Sequence, residues 1–258
     1  DLQFISTINR IDLSALKFLT SQDSGIVSAQ VLIDTRGNSI DDLSGLINLD
    51  NLIYVLHGKK HKLSSLNLDL NQENTLKKIH LSSAYLNSSL SGRYELSNLL
   101  GVFKNFLYNY YPTFFLKPQK NTAYNDSLAL EINIKNFNTL HELFFKDYML
   151  SRGSRIQIGF DAGRNKFDLQ GDLPVFTYRD FNFYASRIQV NELGKNLKAN
   201  INTQAITFQD SNLVNQLSTI ITSGDRNINY SMFWNNQDTI PNFGKINGGM
   251  SFNPGSFD

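Results

Sequence analysis

The chain has 258 residues, 24 Lys+Arg against 23 Asp+Glu, a formal net charge of +1 and no cysteine. Balanced charge provides no counterion-release drive toward nucleic acid, and the lack of thiols removes disulfide staples, thiolate zinc sites and cysteine nucleophiles together. At 41% hydrophobic and 12% aromatic the chain is far from the disordered class, and with only 18% charged residues its polar surface rests largely on Asn and Ser. Zero cysteine leans toward an oxidising compartment. The first residue is Asp1, with no basic and then apolar leader behind it, which suggests a piece of a longer protein. The apolar run at Phe114–Leu116 is far short of the roughly 18 to 20 residues that span a bilayer, so any membrane anchor is expected outside this segment.

In chain order, the leading signal is alternation with period two, the mark of a strand with one apolar and one polar face. Val27, Ala29, Val31 and Ile33 share a face, and Gly37-Asn38 and Gly58 to Lys60 read as turns. Leu66, Leu68 and Leu70 alternate with Asn67, Asp69 and Asn71. Ile79 and Leu81 open a run that continues through Ala84, Leu86, Ser88, Leu90, Gly92, Tyr94 and Leu96, long enough for about 40 Å of extended chain. Ser97 then reads as the N-cap of a helix carrying Leu99, Leu100, Val102, Phe103, Phe106, Leu107 and Tyr110 until Pro112. Leu128 to Ile134 is a strand. Asn138 or Thr139 opens a second helix with Leu140, Leu143, Phe144 and Met149. Ile156 to Phe160, a turn at Gly163 to Asn165, Phe181 with Phe183, Ile188 with Val190, and Leu197 to Ile201 continue the strand series. Asp210 or Ser211 caps a third helix, with Leu213, Val214, Leu217, Ile220 and Ile221 inward and Gly224 at its C-terminal cap. Gly224-Asp225 marks a further turn, and Ile228, Tyr230, Met232 and Trp234 form the closing strand. Short turns between strands favour antiparallel meanders over crossovers.

Chemistry-bearing motifs are sparse. His57 and His61 flank Gly58 and two lysines, which reads as a solvated hairpin turn and not a helical metal site. His141-Glu142 lacks a second His where a zincin helix needs one, since Phe145 stands there. His80 reads as a polar-face residue. No nucleophile elbow, phosphate loop or dinucleotide fingerprint occurs, and Asp41-Asp42 looks like the start of a turn or short helix. The residues therefore point to no enzyme, no catalytic residue, no metal and no cofactor.

The order of the pieces resembles the TamB branch of the AsmA-like, repeating β-groove intermembrane proteins, in the long form found in bacteria of the Bacteroidetes type. Ile8-Asn9-Arg10-Ile11-Asp12-Leu13-Ser14-Ala15-Leu16-Lys17-Phe18-Leu19 leads into the Gly25 to Thr35 strand, followed by Leu43 to Leu49, Ile53-Tyr54 and the Leu66 to Leu70 strand. Ala84 to Tyr94 then leads into the helix at Ser97. In the second half, Leu128 to Ile134, Asn136-Phe137-Asn138, Leu143-Phe144-Phe145 and Ser151 to Ile156 look like the segment between groove repeats, followed by Phe160, Leu169 to Asp172 and Phe176-Thr177-Tyr178. Lys146 stands where that pattern often has Pro.

The resemblance implies a mainly β fold: an elongated, twisted antiparallel sheet curled into an open apolar groove of β-taco-like repeats, with a few short helices. It divides the chain into a repeat at 1–118 that ends in an aromatic helix and a continuous second repeat at 119–258. The implied function is transfer of phospholipid acyl chains through the periplasm between inner and outer membrane, beside a BamA-like outer-membrane barrel partner. The groove lining expected is Val27, Val31, Ile33, Leu66, Leu68, Leu70, Leu86, Leu90, Leu128, Leu130, Ile132, Ile156, Ile158, Ile228 and Met232, with Phe181, Phe183, Tyr230, Met232 and Trp234 as adaptable bulky contacts. The Ser97 helix is expected to cover the groove interior. Alternatives are assembly of outer-membrane barrels through free strand edges, and an extracellular β-sandwich binding module whose stripes close on each other.

Overall fold

The computed structural model describes residues 1–12, 25–56, 58–108, 110, 126–193, 196–209, 211–224, 227–236 and 242–252. These form the strands β1 (Leu2–Asp12), β2 (Gly25–Arg36), β3 (Ser44–Leu56), β4 (Lys59–Glu73), β5 (Leu76–Ser83), β6 (Leu86–Arg93), β7 (Ser127–Ile134), β8 (Tyr148–Leu150), β9 (Arg155–Asp161) and β10 (Lys166–Tyr178). They continue with β11 (Phe181–Leu193), β12 (Asn196–Phe208), β13 (Ser211–Gly224), β14 (Asn227–Asn235) and β15 (Phe243–Ser251), and the helices are α1 (Leu99–Tyr108) and α2 (Asn138–Phe144). The strands form one antiparallel sheet in which neighbours in sequence are neighbours in space, except that β9 follows β7 and the short β8 pairs with the far end of β10. β1 and β15 are not paired with each other. The sheet is open, not a barrel, and the single sheet departs from the two facing sheets of the sandwich alternative. The sheet crosses the expected boundary between 118 and 119 without a break, because β6 pairs with β7 from Leu86↔Ile134 to Arg93↔Ser127. The molecule exposes 16651 Å², against about 11,500 Å² for a compact chain of this mass, as an open sheet requires.

Hairpin chemistry sets this order. At the β2–β3 turn, Asp42 accepts hydrogen bonds from the Asn38 and Ser39 N–H groups and from the Ser39 hydroxyl, at 3.0, 2.6 and 2.7 Å. The Ser39 hydroxyl, then these two amides, hold the Asp42 carboxyl down at about 2. The run from Ile79 to Leu96, read above as one extended stretch, is instead the β5–β6 hairpin. The Ser83 hydroxyl oxygen accepts from the N–H groups of Tyr85 and Leu86 and its proton goes to Leu86 O, which reverses the chain at Ala84-Tyr85. Gly92 then permits close approach of β7: its φ is +150°, and a Cβ there would lie 2.0 Å from Ser127 O. Asn51, Ala185 and Gln216 take left-handed φ within strands, and at Asn51 β3 carries one residue more than β2, which shifts the register between Ser28 and Gln30.

The helices differ from their expected extents. α1 begins at Leu99, with Val102 N–H donating to Asn98 O. Ser97 does not cap it, because its hydroxyl is committed to Asp41 Oδ2 at 2.5 Å. α2 ends at Phe144, and Met149 lies in β8. The third expected helix does not exist: Ser211–Gly224 is β13, paired on both sides, with β12 and with β14. Val214, Thr219, Ile220, Ile221 and Thr222 are β-branched and fit a pleated surface, and two neighbouring strands satisfy the backbone that a helix would have satisfied alone. Gly224 ends this strand opposite Asn227. β1, β3, β10 and β15 had no strand reading of their own in the sequence. Pro112, His57, Asp210 and Asp225 lie outside the described residues.

Gly92→Ala should lower stability by about 2 to 4 kcal/mol, since backbone must give way, while Ser91→Ala beside it should leave the thermal midpoint nearly unchanged; calorimetry checks both. The Asp42 carboxyl is depressed in the folded state, so its stabilising effect is present at neutral pH and is lost as pH falls from 3.8 through about 2. In an NMR pH titration its midpoint should lie near 2 and move upward in Ser39→Ala.

Candidate apolar binding face

Antiparallel pairing puts directly opposed residues on one face of a sheet, so the register can be followed from edge to edge. One row runs Phe4–Ile33–Ile47–Leu68–Leu81–Ser88–Ile132–Ile156–Gly171–Ile188–Ile201–Thr219–Met232–Ile246. The next row on that face runs Leu2–Thr35–Gly45–Leu70–Ile79–Leu90–Leu130–Ile158–Leu169–Val190–Ala199–Ile221–Tyr230–Gly248. Neither contains a charged residue. At about 4.8 Å per strand each row covers on the order of 60 Å. The intervening row on the opposite face reads Gln3–Asp34–Leu46–Asp69–His80–Ser89–Glu131–Gln157–Gln170–Gln189–Asn200–Ile220–Ser231–Asn247. One face is apolar and the other carries mostly amides, hydroxyls and scattered charges, with His80 exposed on it as expected.

Two short helices cover parts of the apolar face. α1 lies over the strand ends of β7, β9, β10, β11 and β12: Val102 and Phe106 pack with Phe160, Phe167 and Leu197, and beside them with Leu128, Ile158, Leu169 and Val190. The Phe106 ring meets Phe160 edge-on at 5.2 Å and tilts on Phe167 at 5.6 Å. Tyr110 closes the cluster, accepting a hydrogen bond from Asn165 Nδ2, and burial pushes its phenol pKa up. At this end the Lys77 ammonium sits over the Tyr94 ring at 5.7 Å and 3.9 Å from Asp41, so the one lysine pairing with Gly92 is taken up by local partners.

α2 reaches the opposite ends of the strands. Its Glu142 Oε2 lies 2.9 Å from Lys59 Nζ and 3.3 Å from His61 Nδ1, and the Lys59 ammonium holds that carboxyl below its usual range. His61 is not in a solvated turn: it is buried, in register with Tyr54, which is in register with Val27. The pair of rings is accommodated because the β3–β4 hairpin brings His61 under α2, a placement that the turn-like sequence around Gly58 conceals. Among the described residues no three His, Asp or Glu side chains come together to hold a metal.

The fifteen expected lining residues occupy a single face, and their environments differ. Leu128 and Ile158 lie under α1 and are not open. Val31 and Leu70 are buried, Val27 stands in the Tyr54–His61 row that α2 overlooks, and Ile33, Leu66, Leu68, Leu86, Leu90, Leu130, Ile132, Ile156, Ile228 and Met232 are half-buried. Phe181 and Phe183 are outside the two rows. Phe183 is in register with Phe176 and Ile206, and Phe181 with Tyr178 and Phe208, and their rings contact Phe176 at 5.5 Å and Phe208 at 4.8 Å in a separate aromatic patch. Tyr230 and Trp234 are on the apolar face but lie over glycines: a Cβ at Gly248 would be 2.4 Å from the Tyr230 ring, and one at Gly244 would be 2.2 Å from Trp234 Cζ2. Ile47, Leu81, Ile188, Ile201 and Ile246 complete the row that the sequence outlined only in part. For Ile188 and Ile201 the alternation was visible; Ile47 and Ile246 sat in segments with no strand reading. Comparison with protein-family profiles, with curated proteins and with solved structures finds no match.

Phe106→Ala should cost about 3 to 5 kcal/mol in urea unfolding, as expected for removing a buried ring, while Leu100→Ser, on the solvent side of α1 at 66% exposure, should change it by less than about 0.5 kcal/mol.

Proposed function

We propose that the chain holds lipid acyl chains against its apolar face and conducts them across the strands, as a segment of a bridge for phospholipid between the inner and outer membranes of a Gram-negative cell. The observation that supports this reading is the pair of uncharged rows traversing fourteen strands of an open sheet, backed by a polar opposite face and covered only in part by α1 and α2. Crossing water costs an acyl chain about 0.8 kcal/mol per methylene, on the order of 12 kcal/mol for sixteen carbons. A continuous apolar floor lowers that barrier along its whole length. Conduction further requires that no station bind too well, and the two rows present only Ser88, Thr35, Thr219 and the Tyr230 phenol as polar interruptions. The apolar face is also more exposed toward its margins, with Phe4 at 45% and Met250 at 54%, where a lipid would be received from or passed to adjoining surface.

A second reading keeps the open sheet and assigns function to its edges. β1 and β15 each leave a row of backbone donors and acceptors unpaired by other described strands, with Ile5 and Phe243 exposed beside them. Such edges can template a further strand, which supports a role in assembling outer-membrane barrels with a BamA-like partner.

A photo-cross-linking residue at position 68 or 132 should give adducts with radiolabelled phospholipid, and the same residue at Asn67 or Asn133, on the other face, should not. Leu68→Arg should abolish transfer between vesicles while leaving the far-ultraviolet circular dichroism unchanged. Labelling at none of the four positions would overturn the lipid reading and leave the edge reading.

A further inference from the structure

The polar face is not flat throughout. Along β10, β11, β12 and β13 the ladder is interrupted at one common level, at Pro174, Ala185, Gln204 and Gln216, while the pairs immediately on either side keep their register and β12–β13 shifts only further on, between Ile206 and Thr207. Ala185 and Gln216 have φ of 47° and 48°. For residues with a Cβ this backbone costs on the order of 1 to 2 kcal/mol each, and it persists only where the surroundings impose it. The bend opens a hollow of about 760 Å³.

The walls of the hollow combine three kinds of group. Asp172, Arg187, Asn202, Ser218 and Phe233 follow one another in register across five strands. The Arg187–Asp172 pair, 2.9 Å apart and exposed, cancels its own charge. Asn202, Gln204, Gln216 and Ser218 line the hollow with no side-chain hydrogen bond to any described residue. Phe233 stands at one end with 45% of its surface exposed. Below, the Ser186 and Thr203 hydroxyls are bonded to each other at 3.0 Å and buried, which makes the floor rigid and leaves the wall groups free to bind outward.

We propose that this hollow on the polar face is a binding site for a neutral oligosaccharide, with Phe233 as the stacking platform and Asn202, Gln204, Gln216 and the Arg187–Asp172 pair as the hydroxyl-recognising groups. A sugar ring offers an apolar C–H face that packs on an aromatic ring and a rim of hydroxyls that each donate and accept, which is the complement of a primary amide. The absence of net charge in the walls disfavours a phosphate or a nucleic acid. A peptide strand is disfavoured because β10 to β13 lie inside the sheet and offer no free edge. The strand spacing of about 4.8 Å is also comparable to the length of one pyranose unit, so successive sugars of an extended chain meet successive strands. Asp172, Arg187, Asn202, Ser218 and Phe233 share the face opposite the apolar rows, while Leu173, Ser186, Thr203 and Leu217 at the base of the hollow continue the apolar face; the proposal stands independently of the lipid reading.

Saturation-transfer NMR with cellohexaose, maltohexaose and N-acetylchitohexaose as probes tests it on the whole chain. Transfer to at least one of the three is expected, with its affinity weakened about tenfold by Phe233→Ala and by Asn202→Leu, and unchanged by Ile220→Ala, an exposed apolar residue of the same face outside the hollow. Circular dichroism establishes that each variant is folded, and if Phe233→Ala is not, Asn202→Leu decides. No transfer to any of the three at millimolar concentration, or transfer that survives both substitutions in folded protein, would overturn the proposal.

Discussion

Antiparallel pairing that keeps its faces aligned from β1 to β15 is the constraint on which the rest of this molecule depends. Side chains alternate with period two, so a slip of one residue between any two strands would invert every row beyond it and mix apolar with polar groups on both faces. The irregularities near Ile8–Ile11 and at Asn51 are therefore compensated. After the bulge, Val27, Tyr54 and His61 are again directly opposite one another. The β2–β3 and β5–β6 turns are short and carry their own chemistry, the Asp42 carboxylate and the Ser83 hydroxyl, and this local closure fixes the register of the strands they join.

An open sheet with one apolar face must do something with that face. Here the burial is uneven. Phe160, Phe167 and Leu197 have the aromatic side of α1 over them, so this end of the molecule is a packed core, rigid enough to hold the strands of both halves together. Beyond the strand ends that α1 and α2 reach, the rows are covered by no described helix, and their side chains are shielded mainly by one another. The division between a fixed, aromatic, helix-covered zone and a half-buried aliphatic zone separates the part that stabilises the fold from the part available for an apolar ligand. The polar face shows a parallel division. Most of it is a ladder of amides and hydroxyls at the strand spacing, and only at the Ala185–Gln216 bend do such groups gather around a hollow.

The alternation made much of this readable in advance. Val31, Ile33, Leu68, Leu90, Ile132 and Ile158 could be placed on one face because each lies in a strand where large apolar residues recur at alternate positions, and short turns indicated that neighbouring strands would be antiparallel. Legibility failed where periodicity is ambiguous. Leu213, Val214, Leu217, Ile220 and Ile221 satisfy a helical spacing as well as a strand, and the outcome was decided by β12 and β14 on either side. Ser83 is a weaker turn former than Gly, Pro or Asn, so a hairpin passed for one long strand. In Phe243-Gly-Lys-Ile-Asn-Gly-Gly-Met the glycines hide a strand whose side-chain space is filled from β14 by Tyr230 and Trp234.

What the sequence by itself determined is the class of structure and the identity of its two surfaces: strands with one apolar and one polar face, joined by turns, with an aromatic helix between two sets of them. Period-two patterning and turn chemistry are local, and local physics can be read from local sequence. What only the tertiary structure decided is which apolar residues remain available. Leu128 and Leu130 stand two apart on one strand and are equivalent in sequence, yet Leu128 packs against α1 and Leu130 lies outside its cluster, because the docking position of a helix depends on Phe160, Phe167 and Leu197, residues distant in the chain. The burial of His61 under Glu142 and the hollow beside Phe233 have the same origin. Each is made by side chains from several strands whose meeting is written in the register of the whole sheet and in no single segment of it.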